Sequence, residues 1–140
     1  MPWHLTRRTF LQTAILAAVP LRGPRHRRDP VGSTVTGHPA PRPGISAAKV
    51  VPASQLDASP EITAIFDQIR EIPAVADGIR CQCDCSALED YYSLLTCYEG
   101  LDAMARHCEI CQAQGRLVSR LHRSGRTLDQ IRKAIDARFS

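Results

Sequence analysis

Apolar residues recur at helical spacing through the second half of the chain. Ile62, Ile65, Phe66, Ile69 and Ile72 follow Ser59-Pro60, where Ser is a favourable N-cap and Pro suits the first helical position. This pattern predicts a helix over 60–71, then a short helical turn from Pro73 to Asp77 closed by Gly78. Ser86-Ala87-Leu88-Glu89 reads as a capping box, and Leu88, Tyr91, Tyr92, Leu95 and Tyr98 continue a stripe that predicts a second helix to about Tyr98. A third helix is expected from 101–103 to His122, with Met104, Cys108, Cys111, Leu117, Val118 and Leu121 inward, Gly115 weakening its middle and Gly125 past its end. Thr127-Leu128-Asp129-Gln130 is another capping box, opening a last helix with Leu128, Ile131, Ile135 and Phe139 inward. No segment alternates as a half-buried strand does. The expected fold is all-α, a small bundle of about four short helices with an irregular cysteine-rich loop.

The first part of the chain follows different rules. Eight of the ten prolines precede residue 57, and residues 22–56 are rich in Pro, Arg, Gly and small side chains. Such a stretch offers little apolar surface to offset its ordering entropy, so it is expected to be a disordered linker. The charges divide at the same place. Residues 1–56 carry eight Lys or Arg against one acid, a net of +7, whereas residues 57–140 carry ten basic and thirteen acidic residues, a net of −3. The part expected to fold, 57–140, is therefore mildly acidic, which argues against nucleic acid as a partner because phosphate binding needs clustered Lys and Arg.

Thr6-Arg7-Arg8-Thr9-Phe10-Leu11-Gln12, followed by TAILAAV, resembles a twin-arginine export signal over 1–21. Its apolar run is too short to span a bilayer, which takes roughly 20 residues, so no stable membrane span is expected. The resemblance implies an exported protein, periplasmic or extracellular. Export by this route commonly follows folding around a cofactor, which is circumstantial support for a bound metal.

All six cysteines lie between Cys81 and Cys111. Cys81, Cys83 and Cys85 alternate, and in an extended or turning chain they can present three sulfurs to one ion. Cys108 and Cys111, three apart, share one helix face, and Cys97 near the end of the second helix can join them. Thiolates select soft ions, so these six residues are the expected ligands of copper(I) first and zinc next. His107 stands beside them as a further ligand or as a solvated helix position. Two other readings stay open. Six cysteines in an exported protein are also where disulfides are expected; a bridge inside CxC has awkward geometry, so Cys81, Cys83 and Cys85 would pair with Cys97, Cys108 and Cys111, stapling an interaction module. The Cys108-Glu109-Ile110-Cys111 segment also admits thiol–disulfide redox chemistry, although no strand precedes it and the expected third helix encloses it.

Three cysteine motifs in order, Cys81-Gln82-Cys83-Asp84-Cys85, Ser93-Leu94-Leu95-Thr96-Cys97-Tyr98 and Cys108-Glu109-Ile110-Cys111, together with the ending Leu128–Phe139, resemble the bacterial proteins named for a PCYCGC motif. The resemblance covers about 60–140; Arg80, Gln82 and Asp84 depart from the motif, and every thiol is kept. It implies an exported domain organised on the cysteines and no particular reaction.

The carboxylates Glu89, Asp90, Glu99, Asp102 and Glu109 read as solvated helix positions, and there is no phosphate loop or serine nucleophile. The function expected is therefore not catalytic: an exported protein that sequesters or relays a soft metal ion, with an envelope metalloprotein or other metal acceptor as its partner.

Overall fold

The structure is a computed structural model that describes residues 37–83 and 91–140. Four α-helices lie in the described residues, with no strand among them: α1 (Pro60–Glu71), α2 (Pro73–Asp77), α3 (Glu109–Arg123) and α4 (Leu128–Phe139). Short 3-10 turns occupy Ala53–Gln55, Leu95–Tyr98 and Met104–Arg106. The helix starts follow the sequence signals. The Ser59 hydroxyl accepts from the Ile62 N–H, and at α4 Thr127 and Gln130 complete a reciprocal capping box.

Helix α3 is the central element, packed against α1, α2 and α4. Its buried face carries Cys111, Gln114, Gly115, Leu117 and Val118. Ile65, Phe66 and Ile69 of α1 and Ile131 and Ile135 of α4 complete the core, with Tyr98 set edge-on to Phe66 at 4.8 Å between ring centres. The glycine expected to weaken α3 has a packing role: a Cβ on Gly115 would collide with the Tyr98 hydroxyl and come within 3.0 Å of Ile65.

Three expectations are corrected. First, the folded unit begins well before residue 57. Residues 37–56, expected to be part of a disordered linker, lie on the domain with His38, Val50, Val51 and Leu56 buried. Prolines in this arm leave its carbonyls free of a local ladder, and arginines of the domain collect them: Arg132, which also donates to Gly78 after α2 (3.0 Å), donates to Pro39 (2.8 Å), Arg70 to Val50 (2.7 Å) and Arg106 to Gln55 (3.0 Å). Arg42 forks onto the buried Asp77 carboxylate, which Ser93 also reaches. An isolated antiparallel bridge joins Val50 to Glu99.

Second, no α-helix covers 91–98. Tyr91 and Tyr92 stand outside regular structure and Leu95–Tyr98 is a 3-10 turn, with Tyr92 exposed and donating its hydroxyl to the Ala40 carbonyl. Third, α3 starts at Glu109, with Cys108 as its N-cap. The segment expected to begin it is a separate turn, Met104–Arg106.

The signal-like segment 1–21, residues 22–36 of the expected linker and the Ser86–Glu89 capping box lie outside the described residues. Among the described residues no helix is long and apolar enough to cross a membrane.

Candidate metal centre

Four cysteine sulfurs come together where three elements meet. Cys81 and Cys83 lie on the irregular segment after α2, Cys97 on the Leu95–Tyr98 turn and Cys111 in the first turn of α3. Their sulfurs all fall within 4.8 Å of one another, and all four residues are buried. Cys81 is 3.1 Å from Cys83 and 3.5 Å from Cys111, and Cys83 is 3.6 Å from Cys111.

The backbone that presents Cys81 and Cys83 has no helix or strand to hold it, so distant side chains do so. The Arg80 N–H donates to His38 Nδ1 at 2.8 Å, and the Gln82 N–H donates to Gln114 Oε1 at 3.1 Å. The Gln82 side chain reaches Asp136 at 3.2 Å, the same carboxylate oxygen that meets His38 Nε2 at 3.0 Å. Just upstream, the Leu94 N–H donates to the Ile79 carbonyl at 2.7 Å. The arm, α3 and α4 thus clamp residues 79–82 from three sides. Behind Cys111, Tyr98 donates to its carbonyl at 2.7 Å.

Not every expected ligand joins the cluster. Cys108 caps α3, half-buried, and its sulfur accepts the Cys111 N–H at 3.5 Å without entering the group of four. His107 is exposed beside it. Cys85 lies outside the described residues. The expected set of three bridges is not formed, because Cys97, Cys108 and Cys111 are free thiols, as is Cys81. Cys83 is disulfide-bonded. The Cys108-Glu109-Ile110-Cys111 motif opens a helix and is not enclosed by one, which removes one of the two objections to redox chemistry.

Electrostatically the cluster favours one thiolate. Donation from Cys111, then from Cys97, holds the Cys81 thiol well below its ordinary pKa against the effect of burial. Cys111 is pushed up by its bonds to Cys81 and Cys97 and by burial. Cys97 accepts from Cys111, which lowers it, but its bond to Cys81 and its burial carry it upward.

The donor set fits a soft ion. A tetrahedral site with metal–sulfur bonds of about 2.3 Å sets its sulfurs about 3.8 Å apart. The separations among Cys81, Cys83 and Cys111 are slightly shorter, 3.1, 3.5 and 3.6 Å, and Cys97 lies within 4.8 Å of each, so small shifts would bring the four to that spacing. Four buried cysteines lying this close can bind a metal ion once the Cys83 disulfide is reduced. The carboxylates Glu99 and Asp102 line an open cleft of about 530 Å³ with Lys49, Tyr91 and Leu101, and no cysteine contributes to it.

No family model, no curated protein and no solved structure matches this chain.

Several residues of the site escape sequence reasoning. His38 and Asp136 are 98 residues apart; His38 belongs to no motif, and Asp136 lies in the ending Leu128–Phe139 with nothing there to mark it as part of the site. Gln114 had a usable signal, since it lies one turn after Cys111 on the same face. It is fully buried, and while its oxygen holds the loop, its Nε2 finds no hydrogen-bond partner among the described residues.

Proposed function

We propose that this protein binds a soft metal ion, copper(I) or zinc(II), and sequesters or relays it outside the cytoplasm. The observation that carries this reading is the convergence of Cys81, Cys83, Cys97 and Cys111 from three separate elements into one buried set of sulfurs. Thiolate sulfur selects such ions over hard cations. A closed set of four is the coordination zinc prefers in stable sites, which favours zinc more than composition alone does. Cys81 supplies the first thiolate, and loading releases the protons that Cys97 and Cys111 hold. The twin-arginine-like leader and the resemblance to the PCYCGC-motif proteins support an exported carrier whose acceptor is another envelope protein.

The test is metal analysis and a thiol count on the reduced full chain after loading with zinc or copper(I). One ion per chain is expected, with Cys81, Cys97 and Cys111 protected from alkylation until the metal is removed. Cys97→Ser should lower affinity by at least tenfold while leaving helix content unchanged. Absence of bound metal in the reduced chain after loading with either ion would remove the reading.

A second reading, thiol–disulfide exchange, draws on one observation: Cys108 and Cys111 take the N-cap and third positions of α3. Reduction of insulin disulfides by the metal-free protein would support it; no turnover would leave metal binding alone.

A further inference from the structure

The four clustered cysteines are 0–7% exposed, so solvent meets little of those residues. Cys108 stands in a different position. It is half-buried, it caps the helix whose first turn carries Cys111, and its sulfur is turned toward that first turn, where it accepts the Cys111 N–H at 3.5 Å. A thiol at the N-cap and a thiol at the third helical position lie on the same end of one helix, one facing outward and one inward.

We propose that Cys108 is the exchange thiol of the cluster, a transfer ligand that takes the metal ion to and from the buried sulfurs without being one of its resident ligands. The inference rests on the metal-binding reading above. In outward transfer the bond from the metal to Cys111 Sγ breaks as a bond to Cys108 Sγ forms. The proton of the Cys108 thiol passes to the released Cys111 sulfur, each sulfur supplies its own electron pair, and the oxidation state of the metal does not change. An acceptor thiol or chelator then displaces Cys108 by the same kind of ligand exchange.

Three features of the site suit this step. Cys111 directly follows two exposed residues, Glu109 and Ile110, so the helix end that carries it also carries solvent-facing chain. The α3 N-terminus presents N–H groups with no helical partner, which favours sulfur carrying negative charge during exchange. Cys111 is also the ligand whose carbonyl Tyr98 holds, so its backbone stays fixed while its sulfur changes partner.

The experiment compares the reduced, zinc-loaded full chain with its Cys108→Ser variant, in which serine keeps the capping function. Zinc stoichiometry is measured first, and transfer of zinc to a chromophoric chelator is then followed by stopped flow. The expected result is one zinc per chain in both proteins, with transfer at least tenfold slower in the variant. Equal transfer rates overturn the proposal, and so does loss of zinc from Cys108→Ser, which would make Cys108 a resident ligand. A wild-type chain that takes up no zinc or copper(I) instead defeats the metal-binding reading itself, and is recognised before any rate is measured. Independently of the variant, brief alkylation of zinc-loaded wild type should label Cys108 ahead of Cys81, Cys97 and Cys111; simultaneous labelling of all four overturns the proposal.

Discussion

The Tyr98 hydroxyl donates to the Cys111 carbonyl at 2.7 Å, so the turn bearing Cys97 and the helix bearing Cys111 are joined immediately behind the sulfur cluster. This contact exists because Gly115 leaves room for the tyrosine. A Cβ at Gly115 would strike the Tyr98 hydroxyl, Tyr98 is fully buried, and its ring already meets Phe66 on its other side.

Gly115→Ala should therefore destabilise the protein although alanine is the better helix former. Overpacking of a closed core costs about 1–3 kcal/mol, which exceeds the gain of about 1 kcal/mol from replacing a helical glycine. A lower midpoint in urea with an unchanged slope is the expected outcome, and it should be partly rescued by Tyr98→Phe, which removes the colliding oxygen. A more stable Gly115→Ala protein would show that Tyr98 is not held there.

Protonation of His38 should loosen the segment that presents Cys81 and Cys83. The Nδ1 of His38 accepts the Arg80 N–H, so Nε2 carries the proton donated to Asp136; a second proton on Nδ1 would face the amide donor. Burial lowers the His38 pKa below its ordinary 6.5; the Asp136 carboxylate opposes this and the nearby Arg132 reinforces it. Because the unfolded state then takes up the proton first, this contribution to stability is fully present above about pH 6.5 and is lost as pH falls through the lower folded value. Thermal midpoints measured from pH 8 to pH 5 should fall in wild type and change less in His38→Gln. Identical slopes would count against the assignment.

Arg42→Met should detach the proline-rich arm. The Arg42 guanidinium forks onto the fully buried Asp77, leaving only Ser93 and the Arg42 backbone N–H as donors once the side chain is replaced. Leaving a buried carboxylate short of its charged partner costs about 2 kcal/mol or more. Proteolysis within 37–56 should accelerate, and Asp77→Asn in the same chain should recover part of the loss. Equal protease resistance in Arg42→Met and wild type would show that the arm is held by its apolar contacts alone.

Local signals alone specify the all-helical class and the caps of α1 and α4, because a serine or threonine before a periodic stripe acts within a few residues, and they confine the thiols to the stretch 81–111. They do not reveal that residues 37–56 belong to the domain. Prolines and arginines read locally as an unstructured stretch, and the contacts that order them, such as Arg42 with Asp77 and His38 with Asp136, span 35 and 98 residues. The stripe through Tyr91 and Tyr98 has helical spacing for the same local reason, yet the chain there follows the demands of Tyr98 packing and of the Leu94 bond to Ile79. Which thiols cluster was likewise a tertiary decision. Spacing makes Cys108 a principal ligand and Cys97 a sixth ligand or a disulfide partner, whereas the start of α3 at Glu109 turns Cys111 inward, leaves Cys108 at the cap, and Cys97 joins the cluster, a distinction that no local rule contains.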